Sequence, residues 1–282
     1  MTTINPKEQP TRSDQTPEYV PKLAFVAEVA AAESRLAEFS IEFTSDKSGE
    51  LRKVADILEK HKANILSGSH EPAHWSFFVD LTQSEATAAQ LGQEFKRLPE
   101  VKKVRIQDGL NGVIVDTLHH PLMLGTNRAI MFRLDTIGSV FSRPREIFGT
   151  EGSLGKVLLH QMGRAGGQSS LKAFAETMGK SRMREQIYNI MNMYAAGGWG
   201  VFKLVQVDFD RRVAVVHAFD NFECTLHRGE GGEPYSQYVR GDLAGLFSEV
   251  FGSKVDAVET ECIVPGAPFC RFEIAPAAKG RA

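Results

Sequence analysis

The sequence predicts a mixed α+β chain made of two domains. Three observations carry this. The chain has 282 residues, and ordinary domains hold about 100–200 each. Between Phe39 and Ile106, apolar spacing alternates between period 2 and helical, in the order strand, helix, strand, strand, helix, strand. From Ile137 onward, helical spacing dominates first, and two candidate hairpins then flank one more helix.

Composition narrows the class. Hydrophobic residues make up 42% and charged residues 24%, which excludes a fibrous repeat or disorder for most of the chain. With 33 basic and 35 acidic residues the formal charge is −2. No clustered positive field is expected, so direct nucleic-acid binding is not. Apolar runs such as Ala129–Phe132 are far below the ~18 residues of a membrane span. The opening residues Met1–Lys7 lack an apolar signal region. Three cysteines do not make a secreted disulfide scaffold. The expected setting is a reducing cytoplasm.

Residues 1–21 carry Pro6, Pro10, Pro17 and Pro21 among polar neighbours, the pattern of a disordered tail. Residues 22–36 are Ala-rich, with Leu23, Val26, Val29 and Ala30 near helical spacing, and predict a helical arm. Phe39, Ile41 and Phe43 alternate with Ser and Glu, a half-buried strand. A turn follows in which Asp46 or Ser48 caps a helix carrying Leu51, Val54, Ala55, Leu58 and His61. Ile65–Ser69 and then Trp75, Phe77 and Val79 mark two strands. Ala88, Leu91, Phe95 and Leu98 mark a second helix, and Val104 and Ile106 a last strand. Residues 37–108 therefore read as a ferredoxin-like βαββαβ unit, with both helices on one face of an antiparallel sheet.

Residues 109–120 form a connector with an apolar centre at Val113–Val115. It ends in His119 and His120, which as neighbours on a strand would point to opposite faces and take structural or solvent roles. The second domain spans 121–276, with a short tail at 277–282. Its first helix carries Ile137, Val140 and Phe141. Leu154–Met178 is longer and contains Gly163 and Gly167, whose spacing lets another backbone approach closely. Arg184–Ala195 is a third helix, broken by Gly197–Gly200. Val201–Phe209 and Val213–Phe222 read as a hairpin around Asp210–Arg212, and Gly229–Gly232 as a loop. An amphipathic helix with Tyr238, Leu243, Leu246, Phe247 and Val250 follows. Val255–Val264 and Phe269–Ile274 close the chain around Pro265–Pro268.

Several chemical motifs are missing. Met178–Ser181 ends like a phosphate loop, but Phe174 stands at the required earlier glycine. No G-x-S-x-G, H-E-x-x-H or G-x-G-x-x-G signature occurs, so neither nicotinamide nor flavin is expected. Glu259, Cys262 and Cys270 flank a tight turn that brings two thiols and a carboxylate together. Thiolates are the soft ligands zinc prefers. The same residues also fit two buried thiols acting as small hydrophobes.

Two resemblances join these readings. The strand, the loop Asp46-x-x-Gly49-x-Leu51 and the Val54/Ile57/Leu58 helix resemble an ACT domain over residues 37–107. That resemblance implies regulation or dimerisation, with the Asp46–Gly49 loop near a partner subunit and an amino acid. The residues alone also fit a glycine that merely makes the turn.

The second is carried by Glu259-x-x-Cys262-x-x-x-Gly266-x-x-x-Cys270-x-Phe272-x-Ile274, with Ala129–Arg133, Gly163 to Gly167, and Gly241-x-Leu-x-Gly245 upstream. It resembles a 4-vinyl-reductase domain over residues 121–275. The two resemblances in this order are similar to archaeal small-molecule-binding regulators. They imply a fold similar to TRAPP subunits and a non-catalytic sensor or carrier with an enclosed apolar pocket for an aromatic or hydrocarbon ligand. On that basis Phe132, Met162, Tyr188, Met191, Trp199, Phe202 and His217 are the expected lining residues. The resemblance also implies one structural zinc held by Glu259, Cys262, Cys270 and an upstream cysteine. Where that cysteine belongs the chain reads Pro234-Tyr235-Ser236, which leaves Cys224 as the remaining thiol. A homodimer is expected, since pairing covers an open sheet. The rival readings are an enzyme or accessory protein in tetrapyrrole vinyl-group reduction, which needs an electron donor, and an assembly module with a filled core.

Overall fold

Strand β1 (Ala27–Val29) opens the described chain where a helical arm is expected. It pairs antiparallel with a strand at Val113–Val115, Ala27 opposite Val115. Here a partner strand overrides the helix preference of an Ala-rich run, because that preference is worth only tenths of a kcal/mol per residue. The structure, a computed structural model, describes residues 26–124, 127–148, 153–178 and 183–277. The expected tails at 1–21 and 278–282, the start of the arm at 22–25 and Gly179–Ser181 lie outside the described residues. The chain divides into two compact units, with the boundary after Ala129.

The first unit continues as β2 (Leu36–Phe43), α1 (Glu50–Lys60), β3 (Asn64–Glu71), β4 (His74–Asp80), α2 (Ala88–Lys96) and β5 (Val101–Asp108). The short strands β6 (Val113–Val115), β7 (Met123–Leu124) and β8 (Asn127–Arg128) follow. An antiparallel sheet of order β3-β4-β2-β5 forms its base. Alternation in β2 sends Phe39 and Ile41 into one core with Phe77, Val54, Leu58, Leu91 and Phe95. Burial of each such side chain contributes about 1.5–3 kcal/mol. Neither Asp46 nor Ser48 caps α1. Its N-cap is Gly49 at φ 94°, a left-handed conformation that glycine adopts without strain. The carboxylate of Glu50 turns back instead, accepting from Ser45 Oγ at 2.8 Å and Lys47 N at 3.3 Å. α2 starts on a full capping box between Thr87 and Gln90.

The opposite face of the same sheet is polar. Glu38, Ser40 and Glu42 alternate with the core residues of β2 and stand across from Phe78, Ser76 and His74 of β4. Leu36, Phe78 and Ile114 pack together there, so β6 covers part of this face.

The second unit contains α3 (Leu134–Phe148), α4 (Ser153–Met178), α5 (Met183–Ala196), β9 (Val201–Asp208), β10 (Val213–Phe219), α6 (Phe222–Thr225), α7 (Tyr238–Phe251), β11 (Val255–Glu261) and β12 (Cys270–Pro276). Its antiparallel sheet has the order β11-β12-β10-β9. β10 ends at Phe219, three residues short of the expected strand, because Asn221 accepts from Glu223 N and starts α6. α7 is not amphipathic. Val239, Leu243, Ala244, Leu246, Phe247 and Val250 are buried around nearly its whole circumference.

α4 and α7 pack backbone to backbone. A Cβ at Gly163 would lie 2.0 Å from Tyr238 O, and one at Gly167 1.9 Å from Asp242 O. Reciprocally, Gly241 faces His160 O at 2.0 Å and Gly245 faces Arg164 O at 2.2 Å. Each helix thus offers two glycines four residues apart, and no side chain larger than hydrogen fits between them.

Candidate metal centre

Four buried side chains converge beside the last hairpin. Cys224 lies on α6, and Glu259 lies on β11 beside an irregular step in its pairing with β12. Cys262 follows the end of β11 and Cys270 is the first residue of β12. The turn between them is tight: Ala267 N donates to Cys262 O at 3.0 Å, and Gly266 takes φ 106°. One ligand atom from each of the four lies within 4.8 Å of the others. All three thiols are free and buried.

The spacing fits a tetrahedral ion. Two sulfurs bound at about 2.3 Å and held at the tetrahedral angle stand about 3.8 Å apart. Cys224 Sγ to Cys262 Sγ is 3.7 Å, and Cys270 Sγ to Cys262 Sγ is 3.8 Å. A disulfide needs about 2.0 Å. The donor set of three thiolates and one carboxylate is soft and suits zinc.

Electrostatics point the same way. Without a cation, Cys262 accepts from the Cys224 and Cys270 thiols and from Val264 N, which holds its thiol well below the usual range. Cys224 is pushed up by its hydrogen bonds to Cys262 and Cys270 and by burial. Glu259 rises to about 8, first through burial and then through the charge at Cys262. One site cannot hold several unshielded negative charges, and a divalent cation removes the conflict.

Ser236 stands beside the cluster. Its hydroxyl donates to Glu259 Oε1 at 2.9 Å and its amide donates to Oε2 at 2.8 Å. It lies 3.0 Å from Cys224 Sγ and accepts from Asn221 Nδ2 at 2.8 Å. Asn221 Nδ2 also lies 3.6 Å from both Cys224 Sγ and Cys270 Sγ. Sequence reasoning missed Asn221 as a donor to this cluster. Its signal was an Asn directly ahead of a short helical run. Glu223 was missed too. Its carboxylate pairs with Arg145 at 2.7 Å and accepts from the amides of Gln237, Tyr238 and Val239 at the start of α7. The cluster and the N-terminus of α7 are therefore tied through one short helix.

The expected pocket residues do not all converge. Met191, Trp199 and Phe202 pack in one aromatic core, with Trp199 stacked on Tyr194 at 5.0 Å. Phe132, Met162 and Tyr188 are exposed, Tyr188 by 63%. His217 sits on the other sheet face, stacked on Phe269 at 4.2 Å, because Ala214, Val216 and Ala218 take the core-facing alternation of β10. Within the helical layer, Tyr194 Oη donates to Asp242 Oδ2 at 2.5 Å. Burial raises that carboxyl to about 7, the Tyr194 hydrogen bond working the other way. In the first unit, Asp46 and Gly49 are exposed and a Cβ at Gly49 would meet nothing within 4 Å.

Among the described residues no helix is long and apolar enough to cross a membrane. No curated protein matches the chain. Three solved structures are similar to it. The crystal structure of the phenol-responsive sensory domain of the transcription activator PoxR with phenol is 20% identical, with 55% of this chain and 79% of that chain covered and a TM-score of 0.49. A trafficking protein particle complex subunit 3 from Naegleria fowleri, covalently bound to palmitic acid, is 14% identical, with 51% and 93% covered and a TM-score of 0.41. A vinyl-4-reductase family protein from Methanocaldococcus jannaschii is 17% identical, with 53% and 85% covered and a TM-score of 0.36. The model of the vinyl-4-reductase domain family matches residues 215–276, the stretch that carries Cys224, Ser236, Glu259, Cys262 and Cys270.

Proposed function

We propose that this chain is a non-catalytic sensor or carrier whose second unit binds a small apolar molecule. The observation that carries the reading is the apolar surface where α3 and α4 cross. Around that crossing Val140, Ile147, Phe148, Leu154, Val157 and Leu158 are exposed, Ile147 by 62%. Single exposed apolar residues need no explanation, but a concentration of them marks a binding surface. A hydrocarbon or aromatic ligand laid against these helices gains about 25 cal/mol per Å² of apolar surface removed from water. The match of residues 215–276 to the vinyl-4-reductase domain family supports the same reading.

In this reading Cys224, Cys262, Cys270 and Glu259 hold one zinc ion with a structural role. The ion clamps α6 to the β11–β12 turn, and Ser236 orients Glu259 rather than ligating. The first unit serves as a ferredoxin-like ACT module for regulation or dimerisation, supported by its βαββαβ order and the strand order β3-β4-β2-β5.

Native mass spectrometry of freshly purified full chain tests the proposal. A retained small apolar molecule on a dimer of the chain is the expected result. A retained redox cofactor would favour the vinyl-reduction enzyme, and bare polypeptide an assembly module; either overturns the sensor.

A further inference from the structure

We infer that Glu38, Asp116 and His119, on the polar face of the first sheet, form a binding site for a divalent first-row cation. The three offer one ligand atom each within 4.8 Å of one another. His119 Nδ1 lies 2.9 Å from Asp116 Oδ1, 3.0 Å from Asp116 Oδ2 and 3.3 Å from Glu38 Oε1. Donors bound at about 2.0–2.2 Å to one ion stand about 3.0–3.5 Å apart at octahedral or tetrahedral angles. The spacing is therefore already that of a coordination sphere.

Glu38 is the independent sign that something belongs here. Its side chain is 0% exposed, and neither carboxylate oxygen has a partner in hydrogen-bond geometry. A buried carboxylate with no donor costs several kcal/mol, and native structures rarely leave one without a reason. Burial, and then the neighbouring Asp116 carboxylate, raise its pKa to about 8, with the more distant Thr117 amide working the other way. Two carboxylates and a neutral imidazole around a divalent ion sum to zero charge. The ion thus removes both the repulsion and the unmet valence.

The surroundings suit that role. Asp116 is fixed by the amides of Leu118 and His119, which both donate to Oδ1 at 3.0 Å. That leaves Oδ2 for an ion. His119 Nε2 lies 3.0 Å from Ser40 Oγ and 2.9 Å from Ser76 Oγ, hydroxyls from paired positions on β2 and β4. Metal-bound histidines characteristically give their second ring N–H to such a partner, which fixes the tautomer. With Nε2 donating to a serine, Nδ1 is bare and faces the two carboxylates. His74 Nε2 holds Ser40 Oγ at 3.0 Å from the outer side. Three protein ligands leave at least one position for water or another ligand. The oxygen-rich donor set differs from the thiolate cluster of the second unit and favours a harder ion.

The test is Co²⁺ titration of the metal-free full chain, read by equilibrium dialysis and visible absorption. Thiolate ligation gives an intense sulfur-to-cobalt charge-transfer band, whereas the Glu38 site gives only weak d–d absorption. The expected result is one equivalent without charge transfer, in addition to any taken up with it. Glu38→Gln keeps the shape and removes one ligand, and should weaken that equivalent at least ~10-fold; His119→Ala should do the same. Cys262→Ala should leave it unchanged. Absence of this equivalent from the wild-type chain overturns the inference. So does full retention in Glu38→Gln, or its loss in Cys262→Ala.

Discussion

Gly167→Ala tests the backbone contact that holds the second unit together. A Cβ at this position would lie 1.9 Å from Asp242 O, 2.7 Å from Asp242 C and 2.7 Å from Leu246 N. All three are backbone atoms of α7, so no rotamer change relieves the clash. Ordinary contact of about 3.5 Å requires the helices to separate by about 1.5 Å. Overpacking of this kind costs about 1–3 kcal/mol, and this contact belongs at the upper end. Alanine returns up to ~1 kcal/mol of helix propensity, so the net loss is about 2 kcal/mol.

Gly166→Ala is the internal control. Its Cβ meets only Tyr238 Oη at 3.3 Å and Asp242 Oδ1 at 3.5 Å, the ends of side chains. The propensity gain then dominates, and the change is neutral or stabilising by up to ~1 kcal/mol. Urea unfolding followed by Trp199 fluorescence in a Trp75→Phe background reports this unit alone. At an m-value of about 1–3 kcal/mol per M, the two variants should differ by roughly 1 M in midpoint. Midpoints within about 0.2 M of each other would refute the claim that α4 and α7 touch through their backbones.

Buried charges give two further tests. Cys224→Ala should release zinc as completely as Cys262→Ala, whereas Ser236→Ala should retain most of it. Elemental analysis of chelator-free protein decides this, and equal retention in Cys224→Ala would remove that thiol from the ligand set. Asp242 binds a proton more tightly in the folded chain, where its pKa is about 7 against an ordinary value of 3.8. Its contribution is full below pH ~4 and is lost as pH rises through ~7, at up to about 1.4 kcal/mol per pH unit. Asp242→Asn should flatten that slope of stability against pH in the Trp199-monitored transition, and an unchanged slope would contradict it.

Much of the architecture is written in local periodicity. Phe39, Ile41 and Phe43 announce a strand with one buried face, and Val54 and Leu58 a helix that covers it. These signals are legible because burial acts residue by residue at a fixed repeat. Gly163 and Gly167 announce a close helix contact for the same reason. The convergence of Glu259, Cys262 and Cys270 is legible because a short turn joins their segments.

Other features belong to the tertiary structure alone. The run at Ala27–Val29 becomes a strand only because Val113–Val115 lies beside it. Cys224 enters the thiol cluster because α6 folds back onto the last hairpin, a placement 38 residues from Cys262 in sequence. His217 leaves the expected pocket because strand register assigns the core face to its neighbours. Glu38, in a strand that reads as alternating, gives no sign in the sequence that its carboxylate is buried. That burial is created by Asp116 and His119, which stand far along the chain on the other side of the whole βαββαβ unit. Local pattern determines which face of an element is apolar, but pairing across long loops decides which polar groups are shut away together. Those shut-away groups are where this protein concentrates its candidate chemistry.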